Sequence, residues 1–149
     1  MRTIAYDQLS SCAGEELGVS DWLEVTQARV NTFAEATDDF QWIHVDVERA
    51  AREMGGAIAH GYLVVSLIPR LNQEIFKVEG LERSLNYGSD KVRFVNPVKV
   101  GARIRQRTRL LSAEPKSGGL QVKFECTIEI EGEARPACVA EPISLYLPK

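Results

Sequence analysis

The sequence predicts an α+β chain in which one long buried helix lies on an antiparallel sheet of about five strands with one polar face. Three observations carry this. Hydrophobic periodicity is helical over the first half of the chain and falls to two from Leu85 onward. The run from Tyr62 to Ile68 is apolar on nearly every side, the pattern of a helix buried all round. At 149 residues, with no repeats, low-complexity stretches or linkers, the chain is most simply one domain, 1–149.

Each element follows from local chemistry. Thr26 can cap a helix over TQARVNTFAEAT, where Val30, Phe33 and Ala34 share a face, and that helix should stop before DDFQWIH. Asp46 can cap a shorter helix, VERAAREM, closed by Gly55 and Gly56. The buried helix begins in AHGYLVVSLIPRLNQEIF, and Pro69 should either kink it or start a new turn. LNYGSDKVRFV reads as a strand bent around Gly88. GARIRQRTRLL and LQVKFECTIEIE read as a hairpin across EPKSGG, whose Pro115, Gly118 and Gly119 suit a turn. ACVAEPISLYL is a last strand, which Pro142 restricts to an edge or a bulge.

Composition removes several function classes. A net charge of −3 lacks the basic excess expected of a nucleic-acid binder. Arg103, Arg105, Arg107 and Arg109 do line one strand face, but Glu125, Glu129 and Glu131 on the neighbouring strand can neutralise them across the sheet. Cys12, Cys126 and Cys138 are odd in number and form no C-x-x-C, and two histidines leave little material for a metal site. No segment has signal-peptide or membrane-spanning character, so a reducing cytoplasm is the expected setting.

Three features could carry chemistry. Asp39 and His44 sit five residues apart in DDFQWIHVD; a carboxylate and an imidazole that converge make an acid–base pair, although the spacing alone also fits a capping loop. Trp42, between them, could close one wall around a reacting water. GGAIAHG leads into the buried helix, so the Gly61 N–H at its start could stabilise developing negative charge, or Gly61 could serve close packing only. Ser66 either bonds back to the carbonyl one turn earlier or reaches a buried partner. His60 reads as a residue that orients the turn. No Gly-rich phosphate loop, G-x-S-x-G elbow or metal-ligand spacing is present.

Together, FAEATDDFQWIHVDVERA and IAHGYLVVSLIP resemble the MaoC-like hydratases, the (R)-specific enoyl-CoA hydratases of the hotdog fold, whose signature runs roughly F-A-x-x-S/T-G-D-x-N-P-x-H-x-D and then I-x-H-G-x-L-x-x-S. NYGSDKVRFVNPVKVGARI is similar to the family's R-F-x-x-P-V segment, so the resemblance covers about residues 20 to 145, and Q-W-I-H places it nearest the NodN-like subgroup. Asp39, His44, the His60–Gly61 pair and Ser66 fall on signature positions. Asp38, Gln41 and Trp42 depart from glycine, asparagine and proline; Gln41 keeps a hydrogen-bonding amide, and glycine tolerates backbone shapes that aspartate accepts less readily.

The resemblance implies reversible syn hydration of a trans-2-enoyl thioester of CoA or acyl carrier protein, with no cofactor and no metal. Asp39 and His44 would divide two proton transfers through one water, the Gly61 N–H would hold the enolate oxygen, and Ser66 would orient Asp39. Which of the pair takes the first proton stays open, because coupled groups titrate as a unit. Exposed sheet edges and the family both imply a homodimer, with Lys91 or Arg93 of one chain meeting nucleotide phosphates at the other chain's site. A hotdog thioesterase is the first alternative, although it would usually carry an acid on the long helix, where Tyr62 to Ile68 has none. A non-catalytic acyl-thioester-binding subunit is the second.

Overall fold

The computed structural model describes all 149 residues. The expected helices form where their caps predict. Helix α1 spans Gln27–Thr37, and Thr26 Oγ1 accepts from the Arg29 N–H at 3.1 Å, a cap worth about 1 kcal/mol. It ends at Asp38, whose φ of 56° and ψ of 24° are left-handed. This is a conformation that glycine adopts freely and aspartate tolerates better than most residues. A short helix α2 (Trp42–Val45) follows, then α3 (Val47–Met54), where Asp46 accepts from the Arg49 N–H at 3.1 Å and Gly55 closes the end.

The central helix is two pieces, α4 (Gly61–Ser66) and α5 (Ile68–Ile75), divided at Leu67. Pro69 lies in the first turn of α5, where its missing N–H has no acceptor to lose, so it starts a new helix. The expectation of burial on every side is corrected. Leu63, Val64, Leu67 and Ile68 enter the core, but Tyr62 is 74% exposed and Ser66 is also exposed.

The main sheet contains β2 (Glu16–Val19), β3 (Leu23–Glu24), β5 (Leu81–Phe94), β6 (Arg103–Lys116), β7 (Gly119–Ile130) and β8 (Cys138–Pro148). Its order is β2-β6-β7-β8-β5, with β3 also on β6, and all its pairings are antiparallel. The β6–β7 hairpin turns through Ser117 and Gly118, both at positive φ, which suits the right-handed twist of a two-residue turn. Pro142 lies within β8, which is not an edge; opposite it the β5 register slips between Ser89 and Val92, so the bulge alternative holds. A further slip between Asn86 and Gly88 bends β5 where the glycine predicts. Three N-terminal strands lie outside the sequence expectation. These are β1 (Arg2–Ala5), which pairs in parallel with β4 (Phe76–Glu79), together with β2 and β3, which are short and find their partners on β6.

The core lies between α4–α5 and the inner sheet face. Ile104, Leu110, Val122, Phe124 and Ile128 are buried there, as alternation predicts. Gln106 and Thr108 share that face and are fully buried. Both donate to Asn72 Oδ1 on α5, at 2.7 and 2.9 Å, and this polar cluster ties the helix to the sheet at one position. On the outer face three of the four arginines of the row pair with glutamates, and Arg109 bonds the Gly14 carbonyl instead. Arg105 meets Glu129 at 2.6 Å, Arg107 meets Glu16 at 2.7 Å, and Arg103 pairs with Glu131. Burial works to raise the Glu129 carboxyl, but Arg105 and Arg107 outweigh it and hold the group below its ordinary value.

Candidate active site

The two histidines are buried together and the aspartate stands at the surface beside them. His44, on α2, is 6% exposed and His60, just before α4, is 2% exposed. Their rings stack with centroids 3.9 Å apart and an interplanar angle of 24°. The Asp39 carboxylate and one ring nitrogen of each histidine lie within 4.8 Å of one another.

Backbone carbonyls assign the tautomers, because a carbonyl can only accept. His44 Nδ1 lies 2.6 Å from the Ile58 carbonyl, so Nδ1 carries the hydrogen and the neutral ring keeps its lone pair on Nε2. His60 Nε2 lies 3.0 Å from the Asp39 carbonyl and donates to it, which leaves Nδ1 bare, buried and without a partner. The residues between are stitched together. The Ile58 N–H donates to the Ile43 carbonyl at 3.0 Å, and Ala59 N–H donates to Val98 at 2.8 Å. A buried imidazole is thereby held with a nitrogen within 4.8 Å of an exposed carboxylate, a spacing that one water could bridge.

His44 lines a cavity of about 340 Å³ with Ile43, Ile58, Gly61, Val64 and Phe94. Gly61 is the first residue of α4, so its N–H has no intrahelical acceptor. A Cβ at Gly61 would meet the Phe94 ring at 3.0–3.2 Å, so glycine is needed there for close packing as well. Phe94 is 51% exposed and sits edge-on to Tyr62, while Phe33 packs on His60 with centroids 4.8 Å apart. Sequence reasoning missed both phenylalanines. Phe94 is 33 residues from Gly61, and only the R-F-V-N-P motif around it carried a signal.

The remaining expected residues divide. The Gln41 N–H reaches Asp39 Oδ1 at 3.4 Å, and its side-chain amide makes no bond within the chain. Trp42 is corrected: the Arg49 guanidinium lies 4.0 Å over its ring, so it faces α3, and Ile43 and Phe94 form the apolar walls instead. Ser66 is also corrected. Its Oγ donates to the Tyr62 carbonyl at 2.6 Å, one turn back, and the expected bond to Asp39 is not made. Lys91 and Arg93 lie exposed on β5. Lys91 Nζ is 3.9 Å from Glu141, and Arg93, next to Phe94, alternates to the opposite strand face, away from this chain's cavity.

Asp39, His44 and His60 are also the residues that could hold a metal. Their geometry fits one poorly. Stacked rings keep their in-plane lone pairs in two nearly parallel layers, and one nitrogen of each is committed to a carbonyl. A tetrahedral ion needs converging lone pairs.

Fold and site together define a hotdog-fold enzyme. The MaoC like domain matches residues 8–131, and the chain belongs to the MaoC-like dehydratase family. It is 47% identical to 3-hydroxyacyl-thioester dehydratase Z of Mycobacterium tuberculosis (strain ATCC 25618 / H37Rv) over 150 residues, 99% of each chain. It is 42% identical to nodulation protein N of Rhizobium leguminosarum bv. viciae, across 97% of this chain and 92% of that protein. The (R)-hydratase from A. caviae involved in PHA biosynthesis superposes with a TM-score of 0.73 at 23% identity, covering 91% of this chain and 96% of that one.

Proposed function

We propose that the protein catalyses reversible syn hydration of trans-2-enoyl-CoA to (R)-3-hydroxyacyl-CoA, with Asp39 and His44 as catalytic residues. The observation that carries the reading is the approach of the Asp39 carboxylate to buried His44, with the chain's own carbonyl holding His44 Nδ1–H. A water between the two would attack C3 of the enoyl group. One proton passes from that water to the pair and one passes from the pair to C2, so the pair ends as it began. His44 Nε2, with its lone pair, is suited to receive a proton and unsuited to donate first. Gly61 lines the same cavity, and its N–H, without an intrahelical acceptor, would hold the enolate oxygen of the thioester. The apolar walls Ile43, Val64 and Phe94 suit an acyl chain.

The reading includes a homodimer in a reducing cytoplasm. β5 is an edge strand of 14 residues, with Leu85, Tyr87, Val92 and Phe94 all exposed, the kind of edge that a second copy covers. Arg93 is not among the site's own walls, so in this arrangement it serves the partner's substrate phosphates. All three cysteines are buried free thiols, which fits a reducing setting.

Incubation with crotonyl-CoA tests the reading. Enoyl absorbance should fall without release of free thiol. Release of thiol would instead favour a thioesterase, and no change in either signal would favour a binding subunit.

A further inference from the structure

We infer that His60 is a positioning residue that sets both members of the pair at once: its Nε2–H fixes the Asp39 backbone while its ring is the platform on which His44 stacks. This deepens the hydratase reading and rests on it. Residues 38 to 40 have few other restraints. Asp38 is left-handed, no backbone N–H from Asp38 to Phe40 finds a backbone acceptor outside the helix ladder, and the one side-chain bond, from the Gln41 N–H to Asp39 Oδ1, is long at 3.4 Å. The 3.0 Å bond from His60 is therefore the main tie between an exposed carboxylate and the folded body. His60 is itself immobile. It is 2% exposed, packed on Phe33, and follows Ala59, which is bonded to Val98. The same ring lies 3.9 Å from His44, whose Nδ1–H is bonded to Ile58, two residues before His60. One three-residue stretch, Ile58 to His60, thus sets the distance between carboxylate and imidazole. Of the two ring nitrogens the positioning role uses His60 Nε2 alone; His60 Nδ1 stays bare and without a partner.

Two variants separate the two contacts. His60→Phe keeps a flat ring and removes the donor; His60→Gln places an amide N–H where Nε2 was and removes the platform. Since a displacement near 1 Å can cost about 100-fold, His60→Phe should lower kcat for crotonyl-CoA hydration by about 10- to 100-fold with KM within about two-fold. His60→Gln keeps the donor but loses the platform, so it should lower kcat as well. In an Asp39→Asn background His60→Phe should add less than about a two-fold loss, as expected of residues acting as one unit. A normal kcat in either variant, or an undiminished loss in the Asp39→Asn background, would overturn the inference. If the phenylalanine ring prevents folding, His60→Asn, whose amide falls short of the carbonyl, replaces it. A readout without substrate separates this inference from the hydratase reading. In ¹⁵N-imidazole NMR of the intact protein, His60 should carry its proton on Nε2 and His44 on Nδ1. A His60 protonated on Nδ1 alone could not hold Asp39, and would sink the inference even in an active enzyme.

Discussion

The protein has two large hollows, and the bigger one is not where the reactive groups lie. Between α4–α5 and the β5–β8 side of the sheet runs a cavity of about 1030 Å³, lined by Ser66, Asn72, Phe76, Tyr87 and Ser144 among others, with no histidine. The smaller cavity, about 340 Å³, has His44 on its wall and the Asp39 carboxylate nearby. The difference is not one of enclosure, because edge strand β5 walls both, the small one through Phe94. It is one of polar groups: at the small cavity, backbone carbonyls fix two imidazoles beside a carboxylate. Orientation of polar groups, more than volume, marks where protons can move.

The largest expected effect sharpens the small cavity. Asp39→Asn keeps shape and removes the carboxylate, so kcat should fall roughly 100-fold or more while the melting temperature stays put. Near-normal turnover in a folded variant would remove the acid–base assignment.

The next prediction concerns the edge. Tyr87→Asp puts charge on exposed β5 and should turn a dimer into monomers, which sedimentation reads directly. Mixing Asp39→Asn chains with Arg93→Ala chains should restore part of the activity in heterodimers. No recovery despite subunit exchange would show that each site is complete in one chain.

Smaller effects test the two corrected residues. Ser66→Ala should change turnover by less than about two-fold, since a bond back to Tyr62 is nearly neutral. Trp42→Ala should lose the Arg49 contact, about 0.5–1 kcal/mol at an exposed site, with little change in kcat.

The last effect appears only in alkali. Burial pushes the Cys126 thiol from 9.0 up to about 12 and Cys138 up to about 11. A raised thiol favours the protonated folded state, so its stabilisation is complete below about pH 9 and is lost as pH climbs toward 11–12. Replacing both with alanine should flatten that part of a stability-versus-pH curve; an unchanged slope would assign it to other groups.

Local chemistry made much of this legible in the sequence. Thr26 and Asp46 marked two helix starts because a cap is an interaction within three residues, and the β6–β7 hairpin followed from alternation and a two-residue turn. β1 to β3 were illegible because strands of two to four residues carry almost no period, and their partners lie about 70 to 90 positions away. Asp39, His44 and Gly61 were found through motif spacing. The stacking of His44 on His60 and the seating of Phe94 on Gly61 were not, since both arise only when distant segments pack. Ser66 misled because its hydroxyl had a partner one helical turn back, and Trp42 because Arg49, seven residues on in the next helix, lies over its ring.

The division between the cavities is tested most directly by a crossed pair of variants, His44→Gln and Asn72→Ala, each assayed for crotonyl-CoA hydration and for melting temperature. His44→Gln should lose roughly 100-fold or more in kcat and remain about as stable as the parent. Asn72→Ala strands buried Gln106 and Thr108, so it should lose about 1–3 kcal/mol of stability and keep its kcat. The reverse pattern, with His44→Gln active but unstable and Asn72→Ala folded but inert, would place the chemistry in the larger cavity and contradict the account.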